Sequence, residues 1–136
     1  MRVKGLVLGG AVVLAACSMG RDVPAATAAI DRFHAALNAG RFAPTWEGAA
    51  PELKSASAEP AFLRLLDAVH RKLGAFKSGK ASGFNENVSP EGTFVTIGYA
   101  SAYERGQAIE QFVYRMNDGK PTLAGYHVTS DALILN

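Results

Sequence analysis

The stretch Thr93-Phe94-Val95-Thr96-Ile97-Gly98-Tyr99-Ala100-Ser101-Ala102-Tyr103 repeats with a period of two. Val95, Ile97 and Tyr99 fall on one side of an extended chain, and the alternate residues fall on the other. Such alternation is typical of a β-strand in a sheet. The pattern predicts a strand over 93–103, the clearest in the sequence, with both faces partly covered.

Turn signals on either side of this strand predict an antiparallel meander. Ser89-Pro90-Glu91-Gly92 has proline and glycine at the positions that a type I turn favours. Glycine-containing turns at 104–106 and 117–120 close two further hairpins. We therefore expect strands over 107–117 and 121–130, and a weaker strand over 77–88, which glycines interrupt. The apolar residues 132–135 either extend a sheet edge or pack loosely.

Before residue 74 the apolar period is close to four, which predicts helices. A helix over 24–39 begins with Pro24 in its first turn and places His34 on its polar side. A short helix follows the break at 41–44 and lays the Trp46 indole against the core. Another turn of helix is expected over 51–57, and a longer helix runs from Pro60 to a stop at Gly74.

Helices followed by a run of antiparallel strands define an α+β layout. We expect N-terminal helices packed on a curved antiparallel sheet of about four strands. Residues 24–136 are enough for one compact domain with one core. The prediction is therefore a single α+β domain over 24–136.

The N-terminus has the layout of a secretory signal. Arg2 and Lys4 precede an apolar run over 6–15 that ends in small residues. A membrane-spanning helix needs roughly 20 apolar residues, so this run is too short to remain as one. Residues 1–16 are predicted to be a signal peptide.

The residues Leu14-Ala15-Ala16-Cys17 resemble the bacterial lipobox. The resemblance implies that Cys17 is acylated and becomes the first residue of a mature lipoprotein, with 17–23 as a lipidated tether. Ser18 stands where the pattern for inner-membrane retention has Asp, which favours the periplasmic side of the outer membrane. The alternative is a plain signal peptide in which Cys17, the single cysteine of the chain, is a small apolar residue.

Removal of the leader would leave the protein without net charge. The chain has 14 basic and 12 acidic residues, and Arg2 and Lys4 account for the excess. A neutral domain gives no electrostatic reason to expect nucleic acid as a partner. The expected partners are the membrane, through the lipid at Cys17, and an envelope protein.

Several short motifs, taken in order, resemble an uncharacterised bacterial family of unknown function. They are Trp46-Glu47-Gly48-Ala49-Ala50-Pro51-Glu52-Leu53-Lys54, Arg71-Lys72-Leu73-Gly74, Phe94-Val95-Thr96-Ile97-Gly98-Tyr99, Ala108-Ile109-Glu110 and Leu123-Ala124-Gly125-Tyr126. The resemblance covers about 25–129. It implies a cystatin-like or nuclear-transport-factor-like cone, in which a bent sheet wraps a helix and leaves a pocket at its wide end. It carries no catalytic residues to this chain.

Candidates for chemistry are few. His34, His70 and His127 have no neighbouring ligand at metal-site spacing, so we expect no metal and no cofactor. His127 and Glu110 would form an acid–base pair if both faced the cone interior. The alternative for His127 is a hydrogen-bonded structural role.

Aromatic residues supply a second candidate site. Trp46, Tyr99 and Tyr126 would line a pocket together with Glu110 and His127, or would belong to the core along with Tyr114.

Three functions are compatible with these patterns. The favoured one is a non-catalytic binding or interaction module facing the periplasm, which predicts an exposed apolar patch or a pocket without convergent titratable groups. A small apolar ligand carrier would need a cavity lined by the aromatic residues. An isomerase or dehydratase would need a titratable group inside the cavity with a tyrosine in reach.

Overall fold

A computed structural model describes residues 21–136 of the chain. The predicted signal peptide over 1–16, the lipobox, Cys17 and the start of the tether lie outside the described residues. Within residues 21–136, no helix has the length and apolar character needed to cross a bilayer. The described chain forms four helices, four strands and a short terminal helix: α1 (Val23–Asn38), α2 (Phe42–Glu47), α3 (Pro51–Ala56), α4 (Glu59–Leu73), β1 (Phe76–Ser89), β2 (Gly92–Tyr103), β3 (Gly106–Asn117), β4 (Lys120–Thr129) and α5 (Asp131–Leu135).

The helices begin and end where their residues favour it. α1, α3 and α4 each have a proline in the first two positions, where the missing backbone N–H costs no hydrogen bond. Gly74, with a φ of 76°, ends α4 in a conformation that residues with a Cβ rarely adopt. The bounds of α1 and α4 confirm the helices predicted from the period of four.

The four strands form one antiparallel sheet in the order β1-β2-β3-β4. Asp118 and Gly119 join β3 to β4 with φ angles of 50° and 77°, the left-handed values that a two-residue hairpin turn requires. The predicted α+β fold is therefore confirmed, as is each predicted strand. The weak strand candidate proves to be the longest strand, with 14 residues, and register shifts at Phe76/Ser78 and Ala81/Gly83 absorb its irregularities.

The sheet has two different faces. The inner face packs against α1, with α3 against β4 and α4 lying on the other helices, and it carries the strand part of the core. The residues of the opposite, outer face remain exposed or half-buried. The core therefore lies between the helices and the inner face. Its largest apolar members are Ile30, Phe33, Leu37, Phe62, Leu66, Leu73, Ile97, Tyr99, Tyr103, Phe112, Tyr114 and Tyr126.

Two sequence expectations need correction. His34 was expected on the polar side of its helix, but it is only 2% exposed, because the sheet meets α1 along a strip wide enough to include it beside Ile30 and Leu37. The C-terminal apolar residues do not extend a sheet edge; Ala132 and Leu133 pack against the core, whereas Ile134 and Leu135 are 81% exposed and pack loosely. All four belong to α5, and the Lys72 ammonium donates a hydrogen bond of 2.6 Å to the Leu133 carbonyl.

The close approach of β1 to β2 gives a test of the packing. A Cβ on Gly79 would lie 2.4 Å from Cε1 of Tyr99 and 2.8 Å from the carbonyl oxygen of Ala100. We expect Gly79→Ala to lower the free energy of unfolding by about 1–3 kcal/mol, because a buried ring and a strand backbone would have to shift. Gly83→Ala is the matched control, since a Cβ there meets nothing within 4 Å. Urea unfolding measures both, and equal losses would contradict the proposed clash.

Candidate functional site

A buried carboxylate, Glu110 on β3, lies at the centre of the most polar part of the core. Its side chain is 0% exposed. Oε1 accepts a hydrogen bond of 2.8 Å from Nε2 of His34 and another from the Ser101 hydroxyl. Oε2 accepts hydrogen bonds from the hydroxyls of Tyr103, at 3.0 Å, and Tyr126. Four donors thus surround one carboxylate, and we call these five residues the Glu110 cluster.

Strand alternation places most of the cluster. Ser101 and Tyr103 are two residues apart on β2 and so face the same side of the sheet, and Glu110 pairs with Tyr99 in the neighbouring strand. Tyr126 pairs with Phe112, which shares the face of Glu110. His34 reaches the carboxylate from α1, on the helical layer. The cluster therefore connects one helix to three strands.

The electrostatics favour an ionised carboxylate with protonated tyrosines. Burial alone would raise the pKa of Glu110, but the hydrogen bond and charge of His34, with the hydroxyls of Ser101 and Tyr126, hold that pKa below its ordinary value. Burial, together with the Glu110 charge, raises the pKa of Tyr126 and of Tyr103. Both phenols therefore stay protonated at neutral pH and can donate to the carboxylate.

Aromatic rings enclose the histidine. Phe76 stacks on the His34 imidazole with ring centroids 3.6 Å apart and planes 3° from parallel. Phe33, Tyr99 and Phe112 surround the other sides within 5.7 Å, centroid to centroid. Nδ1 of His34 has no hydrogen-bond partner among residues 21–136. His34 and Glu110 have the chemistry of an acid–base pair, but these rings separate them from solvent, and the pair acts as a cross-link within the core.

The structure brings together some of the sequence-predicted site residues and separates others. Tyr99, Glu110 and Tyr126 lie in or against the Glu110 cluster. Trp46 is elsewhere: its Nε1 donates to the Ser57 carbonyl at 3.4 Å, and a lysine ammonium lies 5.1 Å from its ring. The predicted aromatic pocket is therefore not assembled as one site.

The predicted pairing of Glu110 with His127 is wrong. His127 pairs with Gln111, whereas Glu110 pairs with Val128, so the two side chains point to opposite faces of the sheet. His127 is exposed on the outer face. The histidine partner of Glu110 is His34, which sequence reasoning missed, as it missed Ser101 and Tyr103. Two signals could have found them: the spacing of His34 from Ile30 and Leu37, and the inward alternation of Ser101 and Tyr103 with Tyr99.

The outer face carries an open concavity of about 580 Å³, which we call the outer groove. Two small side chains of β2 form its centre. Ala100 lies between Lys80 of β1 and Ile109 of β3 in one cross-strand row, and Ala102 lies between Ser78 and Gln107 in the next. The groove is lined by Ser78, Gly79, Lys80, Ala100, Ser101, Ala102, Gln107, Ala108, Ile109, Thr129, Ser130 and Asp131. It is wide enough for a small ligand or the end of a larger one.

Comparison with known families identifies the family of this chain. Residues 29–126 match the family described as "Protein of unknown function (DUF4019)", which confirms the expected membership of a family of unknown function. The chain belongs to that family. The matched region runs from α1 into β4 and includes His34, Ser101, Tyr103, Glu110 and Tyr126. A search of curated proteins finds no match.

The Glu110 cluster makes stability depend on pH. A carboxylate whose folded-state pKa lies below its ordinary value of about 4.5 adds stability above that pH and loses it as the pH falls through the folded-state pKa. We expect Glu110→Gln to cost about 3 kcal/mol or more at pH 7 and to flatten the decline in stability below pH 4.5. Glu47→Gln, at an exposed position, is the control. Denaturant unfolding from pH 7 to pH 3 measures both, and an unchanged slope in Glu110→Gln would contradict the assignment.

Proposed function

We propose that this chain is a periplasm-facing envelope lipoprotein whose domain binds an envelope component in the outer groove without catalysing a reaction. One observation carries the proposal: the titratable side chains lining the groove are Lys80 and Asp131, which stand on different elements, β1 and α5. A site for acid–base chemistry needs titratable groups that converge on one reacting atom. A groove without such convergence is suited to binding.

The burial of Glu110 and His34 supports the same proposal. Their side chains are 0% and 2% exposed: Glu110 points to the inner face, away from the outer groove, and His34 meets it there from α1. An enzyme of the isomerase or dehydratase type would require them to reach a substrate. Their enclosure by aromatic rings favours a structural role.

The position of the aromatic residues bears on the carrier alternative. Tyr99, Tyr114 and Tyr126 are 3–7% exposed and fill the space between helices and sheet. The groove is lined instead by alanines and Ile109, together with hydroxyl side chains, an amide and two charged groups. Such a lining fits a ligand with both polar and apolar parts better than a purely apolar one.

The proposed groove can be tested by covalent capture. Gln107 is exposed and lines the groove. A benzoylphenylalanine at that position therefore fits without disturbing the core and lies close to any ligand bound in the groove. In living cells we expect ultraviolet light to give a cross-linked adduct from Gln107→benzoylphenylalanine. Adding Ala100→Trp should abolish the adduct, because the indole would fill the groove beside Lys80 and Ile109. A gel shift detects the cross-linked adduct, and mass spectrometry identifies its components.

Asn87 provides the matched control for both changes. It is exposed on the outer-face side of β1 and lies outside the groove lining. Benzoylphenylalanine at Asn87 should give no adduct, and Asn87→Trp should leave the adduct at Gln107 unchanged. An adduct that survives Ala100→Trp in a protein with an unaltered melting curve would contradict the proposed groove.

The proposed lipid anchor has its own test. Acylation of the single cysteine requires its sulfur, so Cys17→Ser should eliminate incorporation of labelled palmitate and shift the protein from the membrane to the soluble fraction. Ser18→Ala, at the neighbouring position, is the control and should keep the label. Labelling of Cys17→Ser at the level of the natural protein would contradict the anchor.

A further inference from the structure

We infer that the outer groove binds a short, extended peptide with free ends, its carboxylate at Lys80 and its ammonium at Asp131. This inference rests on the proposed function and names the class of ligand for the same groove. Three features support it: the charges at the two sides of the groove, the distance between them, and the chemistry of the groove floor, which Ala100, Ala102 and Ile109 form.

The two charges in the groove have no partners in the described part of the chain. Lys80 and Asp131 belong to none of the ion pairs among residues 21–136. Neither charged group is sequestered in the core, since both residues are exposed. One positive and one negative group on the walls of one groove complement a ligand that carries the opposite charges at its two ends.

The spacing of the strands gives the length of that ligand. Lys80, Ala100, Ile109 and Thr129 form one cross-strand row, so β1 and β4 are three strand spacings apart. Three spacings are about 14 Å, and Asp131 follows two residues after Thr129. An extended peptide covers about 3.3–3.6 Å per residue, so about four residues span the distance between the strand backbones, and three suffice because the long Lys80 side chain shortens the gap.

The floor matches a peptide with small side chains. Ala100, Ala102 and Ile109 offer apolar contact, and the two alanines leave the volume that larger residues would fill. The backbone groups of β2 and β3 are paired with neighbouring strands, so they are not available to a ligand. Peptide N–H and C=O groups of a ligand would instead meet the side chains of Ser78, Gln107 and Thr129, which can both donate and accept.

The experiment uses the full chain in detergent and trialanine as the probe. Addition of trialanine should move the amide NMR signals of the groove, including those of Lys80, Ala100 and Thr129. N-acetyl-trialanine and trialanine amide each lack one terminal charge and should bind about fivefold more weakly or worse. A tenfold rise in salt should narrow the difference, because exposed charges are screened.

Two charge variants assign the ends. Lys80→Gln should bind trialanine more weakly and lose its sensitivity to amidation, while it keeps its sensitivity to acetylation. Asp131→Asn should show the reverse pattern. Lys77→Gln, on the same strand but outside the groove lining, should behave as the natural protein.

The outcomes separate this inference from the proposed function. Equal affinity for free and capped trialanine, or no binding of either, overturns the inference. If the cross-link from Gln107 persists in that case, the groove still binds an envelope component of another class. If the cross-link is also absent, the proposed function fails with it.

Discussion

Burial of the Glu110 carboxylate constrains the rest of the structure. A charge removed from water costs several kcal/mol unless hydrogen bonds and an opposite partner compensate it, and here the donors come from α1, β2 and β4. Each donor must keep its place for the carboxylate to remain satisfied. A slip of β3 by one residue would turn Glu110 to the outer face and Gln111 into the core. The cluster therefore fixes both the register of the strands and the position of α1 on the sheet.

The sequence predicts the elements well because their patterns are local. The alternation in 93–103 and the turn residues around it depend on neighbours in the chain, and tertiary packing reinforces them. The Glu110 cluster depends instead on contacts between residues as far apart as His34 and Glu110, 76 positions along the chain. Because His34 lies on the same helix side as Thr27, Asp31 and Asn38, the helical pattern alone predicts that it is exposed. Only the partner carboxylate explains its burial. The wrong pairing with His127 has the same origin, because the face of a strand residue depends on register, and Ala124 introduces an irregularity in β4.

The two faces of the sheet have different roles: the inner face contributes to stability, and the outer face is exposed to ligands. The inner face uses large aromatic residues and the buried Glu110 carboxylate, so substitutions there act on folding. The outer face has Gly98, Ala100 and Ala102 at successive outward positions of β2, which leaves backbone-level space at the centre of the sheet. Small residues at such positions weaken a strand unless something else requires the space. The outward side chains of the groove, such as Lys80 and Ile109, can therefore vary without disturbing the core that supports them.

The direction of α1 bears on how the groove would be presented in the proposed lipoprotein. Asp22, just before α1, lies beside Glu86, and its burial and the Glu86 charge raise the pKa of Asp22. At the other end of α1, Asn38 accepts a hydrogen bond of 2.8 Å from the backbone N–H of Phe76. The helix thus runs along the sheet from Glu86 to Phe76, and Lys80 lies six residues before Glu86, about 20 Å along β1. In the proposed lipoprotein the lipid would be attached five residues before Asp22, through a chain of at most about 18 Å. The groove would then lie toward the end of the sheet remote from the anchor and would be open to ligands from the periplasm.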